Sequence, residues 1–358
     1  MAGKIRIVVV GLGNMGISHA KAYHAIDGFE IVGLCSRQLN ADTKLPNELA
    51  NYPRFSDFDD ALSSTQPDAV SINTWPDTHA AFAKKSFAVD AHVFMEKPIA
   101  ETVEEAQDIV DMAKASGKKL VIGYILRHHP SWAKLVEMTQ SLGHPLVMRM
   151  NLNQQSSGET WNVHKQLMSS LSPIVDCGVH YVDMMCLMTR SKPVSVHAIG
   201  ARLSNEIAKD MYNYGQLQVT FANGSIGWYE AGWGPMMSET AFFVKDVIGP
   251  NGCVSIVAAE EAGQGHKSDD VDAHTKTNAL RFHRSELDSQ GQFVTADEII
   301  RTEDEPGHDE LCSREQTYFL KAIQNNIDLT NHMDDAVSSL RIVLAADQSI
   351  KTGEIVRL

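Results

Sequence analysis

The sequence predicts an α/β fold: a doubly wound parallel sheet at the N-terminus, then an α+β domain on a large, mostly antiparallel open sheet. Three observations carry this expectation. Apolar, strand-like runs alternate with helical stretches up to residue 125, the pattern of a parallel sheet with crossover helices. Beyond residue 145 strand-like runs follow one another with turn residues between them, the pattern of antiparallel pairing. The chain is 358 residues long, more than one core usually supports. The boundaries are drawn at 1–125 and 126–358, with the terminal helices free to pack back on the first domain.

The elements follow in order. Ile5, Ile7, Val8, Val9 and Val10 form an apolar run suited to a strand buried on both faces. Gly11, Gly13 and Gly16 give G-x-G-x-x-G at its end, leading into a helix over 14–25 and a second strand over 30–35. Strands over 68–72, 92–95 and 119–122 alternate with helices over 77–89 and 101–116. The last helix places Val103, Ala106, Ile109, Val110 and Ala113 on one face and stops at Gly117. In the second half a strand covers 145–154, and a helix covers 173–188 with Pro173 in its first turn. The region 194–257 is strand-rich. Strands at 216–222 and 225–231 flank Asn223-Gly224, a type I′ hairpin signal. Strands at 244–248 and 253–257 flank a second turn. The polar stretch 260–277 reads as a loop, and helices over 308–324 and 334–351 close the chain.

Composition excludes several classes. The net charge is −14, from 31 basic and 45 acidic residues, which repels phosphate backbones and anionic lipid. Neither nucleic acid nor a membrane surface is an expected partner. No apolar stretch has the length of a membrane span, and the first strand begins too early to leave room for a signal peptide. The five cysteines are odd in number and show no C-x-x-C spacing, as for small buried side chains in a reducing compartment. A cytoplasmic location is expected, and no metal site: the histidines lack H-x-x-x-H or H-E-x-x-H spacing.

The glycine motif implies a dinucleotide. Gly11 permits the tight turn, Gly13 removes a side chain where backbone approaches a pyrophosphate, and Gly16 lets helix and strand pack closely. The amides of Asn14, Met15 and Gly16 at the helix N-terminus would face the phosphates. Three further segments bear chemistry. Glu96-Lys97-Pro98 follows the strand over 92–95, at the edge where open α/β sheets bind ligands. An ammonium there can polarise a substrate oxygen. Asp176 and His180 are four apart on the helix expected over 173–188, with Gly178 leaving the face between them open. Histidine suits proton transfer near neutral pH, and a carboxylate steadies its charged form. Thr74-Trp75-Pro76-Asp77-Thr78-His79 ends the strand over 68–72 on the same ligand edge. Trp75 could wall a nicotinamide or a substrate, and His79 could equally serve as a helix-start hydrogen-bonding residue.

G-x-G-x-x-G, Glu96-Lys97-Pro98 and Asp176-x-Gly178-x-His180, in this order, resemble the Gfo/Idh/MocA family of glucose–fructose oxidoreductase and inositol dehydrogenase. Gly123–Pro130 is similar to that family's Arg-Phe-His-Pro segment. The resemblance implies that Lys97, Asp176 and His180 are the catalytic trio, that the Lys97–Pro98 peptide is cis, and that the chain forms a homodimer or homotetramer through its C-terminal sheet. It implies a hydride exchange between NAD or NADP and a secondary hydroxyl of a sugar or cyclitol, the Thr74-Trp75 segment pointing to inositol-like substrates. Cofactor-binding residues are then Gly11, Gly13, Asn14, Met15, Gly16, Ser36, Arg37, Thr74, Trp75, His79 and Glu96. Substrate contacts are Lys97, Asp176, His180, Arg127, and Trp161 and His164 from a polar loop. Ser36 stands where inositol dehydrogenases of the family commonly carry Asp, and Arg37 follows it. A guanidinium suits a ribose 2′-phosphate, so NADP is expected over NAD. Two other readings are an NAD-dependent glycosidase that oxidises its substrate transiently and a cofactor-sensing regulator without turnover. The retained trio argues against the regulator. Phe221, Trp228, Tyr229, Trp233, Phe242 and Phe243 lie on several strands of the second domain, and strand alternation should turn some of them outward to an interface.

Overall fold

The computed structural model describes residues 3–40, 42–237, 244–257, 279–302 and 305–358. The chain divides into two compact units, Met1–Ile125 with His308–Val337, and Leu126–Gly307 with Ser338–Leu358.

Among the described residues of the first unit, six parallel strands form one sheet in the order β3-β2-β1-β4-β5-β6. They are β1 Ile5–Val10, β2 Phe29–Cys35, β3 Arg54–Phe55, β4 Ala69–Ile72, β5 His92–Met95 and β6 Leu120–Ile122. Ile7, Val8 and Val9 are fully buried, as a strand covered on both faces requires. The order reverses between β1 and β4, so the carboxyl ends of these strands open at a topological switch point. The helices Asn14–Ala25, Phe58–Thr65, Pro76–Ala88 and Val103–Ser116 connect the strands. The last begins two residues later than expected because Thr102 is its N-cap and accepts from Glu105 N at 3.2 Å. It ends at Gly117, whose φ is 68°. The helix His308–Gln324 belongs to this unit, with Phe319 stacked near Phe29.

The second unit holds nine strands among its described residues, in the order β14-β13-β12-β11-β7-β10-β9-β8-β15. They are β7 Val147–Gln155, β8 Pro193–Ala201, β9 Tyr214–Phe221, β10 Ile226–Gly234, β11 Lys245–Gly249, β12 Gly252–Val257, β13 Ala279–Arg284, β14 Glu298–Arg301 and β15 Val356–Arg357. Only β7 and β10 pair in parallel; the other neighbours are antiparallel. The helix Gly178–Thr189 covers one face, where Leu217, Val219, Tyr229 and Val247 are fully buried. Tyr181 of that helix stacks on Tyr229 with centroids 5.0 Å apart.

Several expectations change. The β9–β10 turn is not type I′, because Asn223 does not enter the left-handed region; Gly224 does, with φ 84°, and Gly224 N bonds Phe221 O. This is the longer hairpin loop that closes on a left-handed glycine. The helix expected over 173–188 breaks into Pro173–Asp176 and Gly178–Thr189. His180 N bonds Cys177 O, not the carbonyl four residues back, so the argument from one continuous helical face does not hold. Gly178 does not leave an open face either: an added Cβ would lie 2.8 Å from the Tyr229 ring. Of the six aromatics, some of which strand alternation should turn outward, Phe221, Tyr229 and Trp233 are buried, and Trp228 is half-buried opposite Gln218. That outer face also carries Arg149, Asp246, Gln216 and Glu230, so it is mixed rather than apolar. Phe242, Phe243 and the stretch 260–277 lie outside the described residues.

Candidate active-site elements

The three motif glycines are required for different reasons. Gly11 has φ 85°, and a Cβ there would sit 2.4 Å from Asn73 O. A Cβ on Gly16 would lie 1.8 Å from Gly11 O. The fold therefore demands both. A Cβ on Gly13 would meet nothing within 4 Å. The fold does not need glycine there, but a ligand pressed against that backbone would. Gly13 is also the N-cap of Asn14–Ala25, which has no side-chain cap and no acidic residue in its first turn. The amides of Asn14, Met15 and Gly16 are thus available to an anion at the positive end of a helix. This end fits the pyrophosphate of a dinucleotide.

Ser36 follows β2 and no acid stands at the strand end. Arg37 is exposed, and its guanidinium pairs with no carboxylate among the described residues. Arg54 is engaged instead, donating to the carbonyls of Asn40 and Thr43 at 2.8 and 2.9 Å. Thr74 Oγ1 bonds Thr78 Oγ1 at 2.6 Å, and Trp75, the N-cap of Pro76–Ala88, is 46% exposed at the ligand edge. His79 is fully buried. Its Nδ1 lies 2.9 Å from Pro98 O and its Nε2 3.0 Å from Thr74 O. The ring ties two edge loops together rather than presenting itself to a ligand. Burial pushes its pKa down, and the carbonyl contacts oppose that shift.

Lys97 is half-buried and its peptide to Pro98 is cis, as the family resemblance implies. Glu96 is buried, and its Oε1 lies 2.7 Å from Nε2 of the fully buried His19. His19, Cys312 and Glu315 bring potential ligand atoms within 4.8 Å of one another. Both His19 nitrogens are already bonded, to Glu96 and to Gln316, and burial with the nearby Glu96 charge pushes the Glu315 carboxyl well up. With both imidazole nitrogens taken by hydrogen bonds, the group is not an open ligand set.

In the second unit Ser172 caps Pro173–Asp176 by accepting from Val175 N at 3.1 Å, and its hydroxyl donates to Asp347 at 2.8 Å. Asp176 and His180 are half-buried. Cys177 Sγ lies 3.6 Å from both Asp176 Oδ2 and Gln154 Oε1, and Gln154 accepts from Trp233 Nε1 at 2.7 Å. Trp161 and His164 are not in a loop. They sit on the helix Gly158–Leu167 and are buried. His164 stacks on Trp233 with centroids 4.5 Å apart and bonds Ser156; Trp161 Nε1 donates to Glu206. Arg127 is held by Asp183, which is fully buried. The sequence reading missed His19, Asp183 and Gln154. A histidine and an acid at buried positions of otherwise apolar helix faces were the available signal.

Two family models match the chain: the oxidoreductase-family NAD-binding Rossmann fold over residues 5–124 and the GFO/IDH/MocA C-terminal domain over 133–245. The chain is 30% identical over 196 residues to UDP-N-acetylglucosamine 3-dehydrogenase of Acidithiobacillus ferrooxidans, covering 55% of this chain and 58% of that protein. It is 27% identical over 202 residues to inositol 2-dehydrogenase of Agrobacterium fabrum, with the same two coverages. The match thus spans a little over half the length of these relatives. Scyllo-inositol dehydrogenase from Lactobacillus casei, solved with NAD(H) and scyllo-inositol, has the same fold at a TM-score of 0.74 and 20% identity, covering 99% of both chains. A six-stranded parallel sheet with the glycine turn after β1, a large mixed sheet, and both family matches make this chain a member of the Gfo/Idh/MocA oxidoreductase family.

Proposed function

We propose that the protein is a nicotinamide-dependent dehydrogenase or reductase acting on a secondary hydroxyl or carbonyl of a sugar or cyclitol, with NADP preferred over NAD. The observation that carries the reading is Gly13: a glycine the fold does not need, at an uncapped helix end. The names of the two relatives, a nucleotide-sugar dehydrogenase and an inositol dehydrogenase, support the substrate class. Exposed, carboxylate-free Arg37 beside Ser36 supports the 2′-phosphate.

When bound, the nicotinamide supplies the hydride chemistry. The chain supplies charge and proton transfer. In the oxidative direction His180 takes the hydroxyl proton as the carbon gives up hydride, leaving a carbonyl. The Lys97 ammonium stabilises the alkoxide that develops on the oxygen, and Asp176 orients His180 or shares its proton. In this reading residues 1–125 bind the dinucleotide, and residues 126–358 bind substrate and assemble a homodimer or homotetramer through the large sheet. The proposed location is the cytoplasm.

The test incubates the purified protein with NADP or NAD and a panel of cyclitols, hexoses and UDP-N-acetylglucosamine, following nicotinamide absorbance and products. Net reduction of free cofactor is expected. Glycosidic cleavage without net reduction would replace this reading with transient oxidation, and cofactor binding with neither would indicate a sensor.

A further inference from the structure

We propose that Glu96 and His19 form a buried latch that positions Lys97. The inference rests on the reading of Lys97 given above. Glu96 uses both carboxylate oxygens: Oε1 faces His19 Nε2 at 2.7 Å, and Oε2 accepts from the Lys97 backbone N–H at 3.2 Å. The polarity of the network behind it follows from its far end. The Tyr23 hydroxyl donates to Gln316 Oε1 at 2.5 Å, which leaves the Gln316 amide nitrogen facing His19 Nδ1 at 2.9 Å. An amide nitrogen only donates, so Nδ1 is the acceptor and Nε2 carries the proton given to Glu96. The donors run one way from Tyr23 through Gln316 and His19 to Glu96, and the Lys97 main chain donates to the same carboxylate from the other side. Tyr23, His19 and Gln316 are all buried, so water does not compete with the chain. On the other side of Lys97, His79 holds the Pro98 carbonyl.

A lysine ammonium rides on a flexible four-carbon stem, so its aim depends on how firmly the backbone beneath it is set. A misplacement of about 1 Å at a catalytic group can cost on the order of 10²-fold. His19 lies on the same helix as the glycine motif, so one helix offers amides at its first turn and sets the lysine from its second. His19 and Glu96 are positioning residues. They do not touch the reacting atoms.

The experiment compares wild type with Glu96→Gln, His19→Ala and His19→Gln, the last returning an amide donor near the Nε2 position. Lysines are ¹³C-dimethylated, and the Lys97 resonance is assigned by its absence from Lys97→Met. Melting temperature, NADP dissociation constant, kcat and KM are measured on the same proteins. The expected result is a Lys97 resonance displaced in Glu96→Gln and His19→Ala and restored in His19→Gln. kcat falls roughly 10- to 100-fold in the first two, while KM for the sugar or cyclitol stays within about threefold. An unmoved Lys97 resonance in folded Glu96→Gln overturns the latch, and that variant carries the test if His19→Ala does not fold. A displaced resonance with full turnover in Lys97→Met leaves the latch standing and overturns the catalytic role of Lys97 instead.

Discussion

Arg127 and Asp183 form a two-pronged ion pair, Nε to Oδ2 and Nη2 to Oδ1 at 2.7 Å each, with the Asp183 side chain fully buried. Asp183 is three residues beyond His180 on the same helix, so the pair anchors the helix that carries the proposed base. Breaking one side removes the two-pronged partner of a buried charge, which costs about 3–5 kcal/mol. Asp183→Asn should lose stability of that order in urea unfolding. Replacing both residues by apolar ones of similar volume should cost less than either single change. A loss below about 1 kcal/mol for Asp183→Asn would show that the pair does not hold the helix.

Gly13 and Gly16 should respond oppositely to alanine. Gly13→Ala should melt close to wild type and lose dinucleotide affinity, because its Cβ meets no protein atom. Gly16→Ala should lose stability, because its Cβ would lie 1.8 Å from Gly11 O. Isothermal titration with each cofactor and a thermal melt decide both. Undiminished affinity in Gly13→Ala would remove the main support for the cofactor site.

Ser36→Asp combined with Arg37→Val puts a carboxylate where the 2′-phosphate is proposed to lie and removes the guanidinium. The lost charge-assisted pair is worth about 1.5–3 kcal/mol, so NADP affinity should fall about tenfold or more. NAD affinity should hold or rise. A wild-type protein that binds NAD more tightly than NADP would refute the NADP preference and leave the glycine-turn argument intact.

Acid should destabilise the fold through two histidines. Burial pushes His92 down to about 4, with Lys118 and Lys119 adding to the shift; burial, then Arg127, pushes His128 down to about 4. At pH 7 both are neutral in the native state and mostly neutral in the unfolded chain. Between their ordinary value of 6.5 and about 4, the unfolded chain takes up protons that the native state refuses. Stability therefore falls as pH drops through that window, by up to about 1.4 kcal/mol per pH unit for His128 and by less for the more exposed, solvent-screened His92, and levels off below it. His128→Phe should flatten the decline between pH 6.5 and 4.5 in denaturant titrations. An unchanged slope would mean that His128 titrates alike in both states.

Local features were legible in the sequence. The helix over 14–25 and the strand over 92–95 stand where the motif and the apolar runs put them. Partners distant in sequence were not. His164 and Trp161 are residue types suited to sugar contacts, and nothing near them in sequence reveals Trp233 and Glu206 as their neighbours. Arg127 reads as a ligand for a polar substrate until Asp183, 56 residues on, takes its guanidinium. Gly178 reads as open space because glycine looks the same whether it faces solvent or, as here, the Tyr229 ring. Side-chain partners across a sheet are set by packing and leave no local trace.

The most direct test of the central claim is the rate of NADP or NAD reduction by wild type and by Lys97→Met on the best substrate of the panel. The account predicts measurable reduction by wild type. In Lys97→Met it predicts a loss of at least about 100-fold in kcat, with the cofactor dissociation constant within about threefold. Near wild-type turnover in Lys97→Met, or cofactor that binds and is never reduced by any sugar or cyclitol, would contradict it.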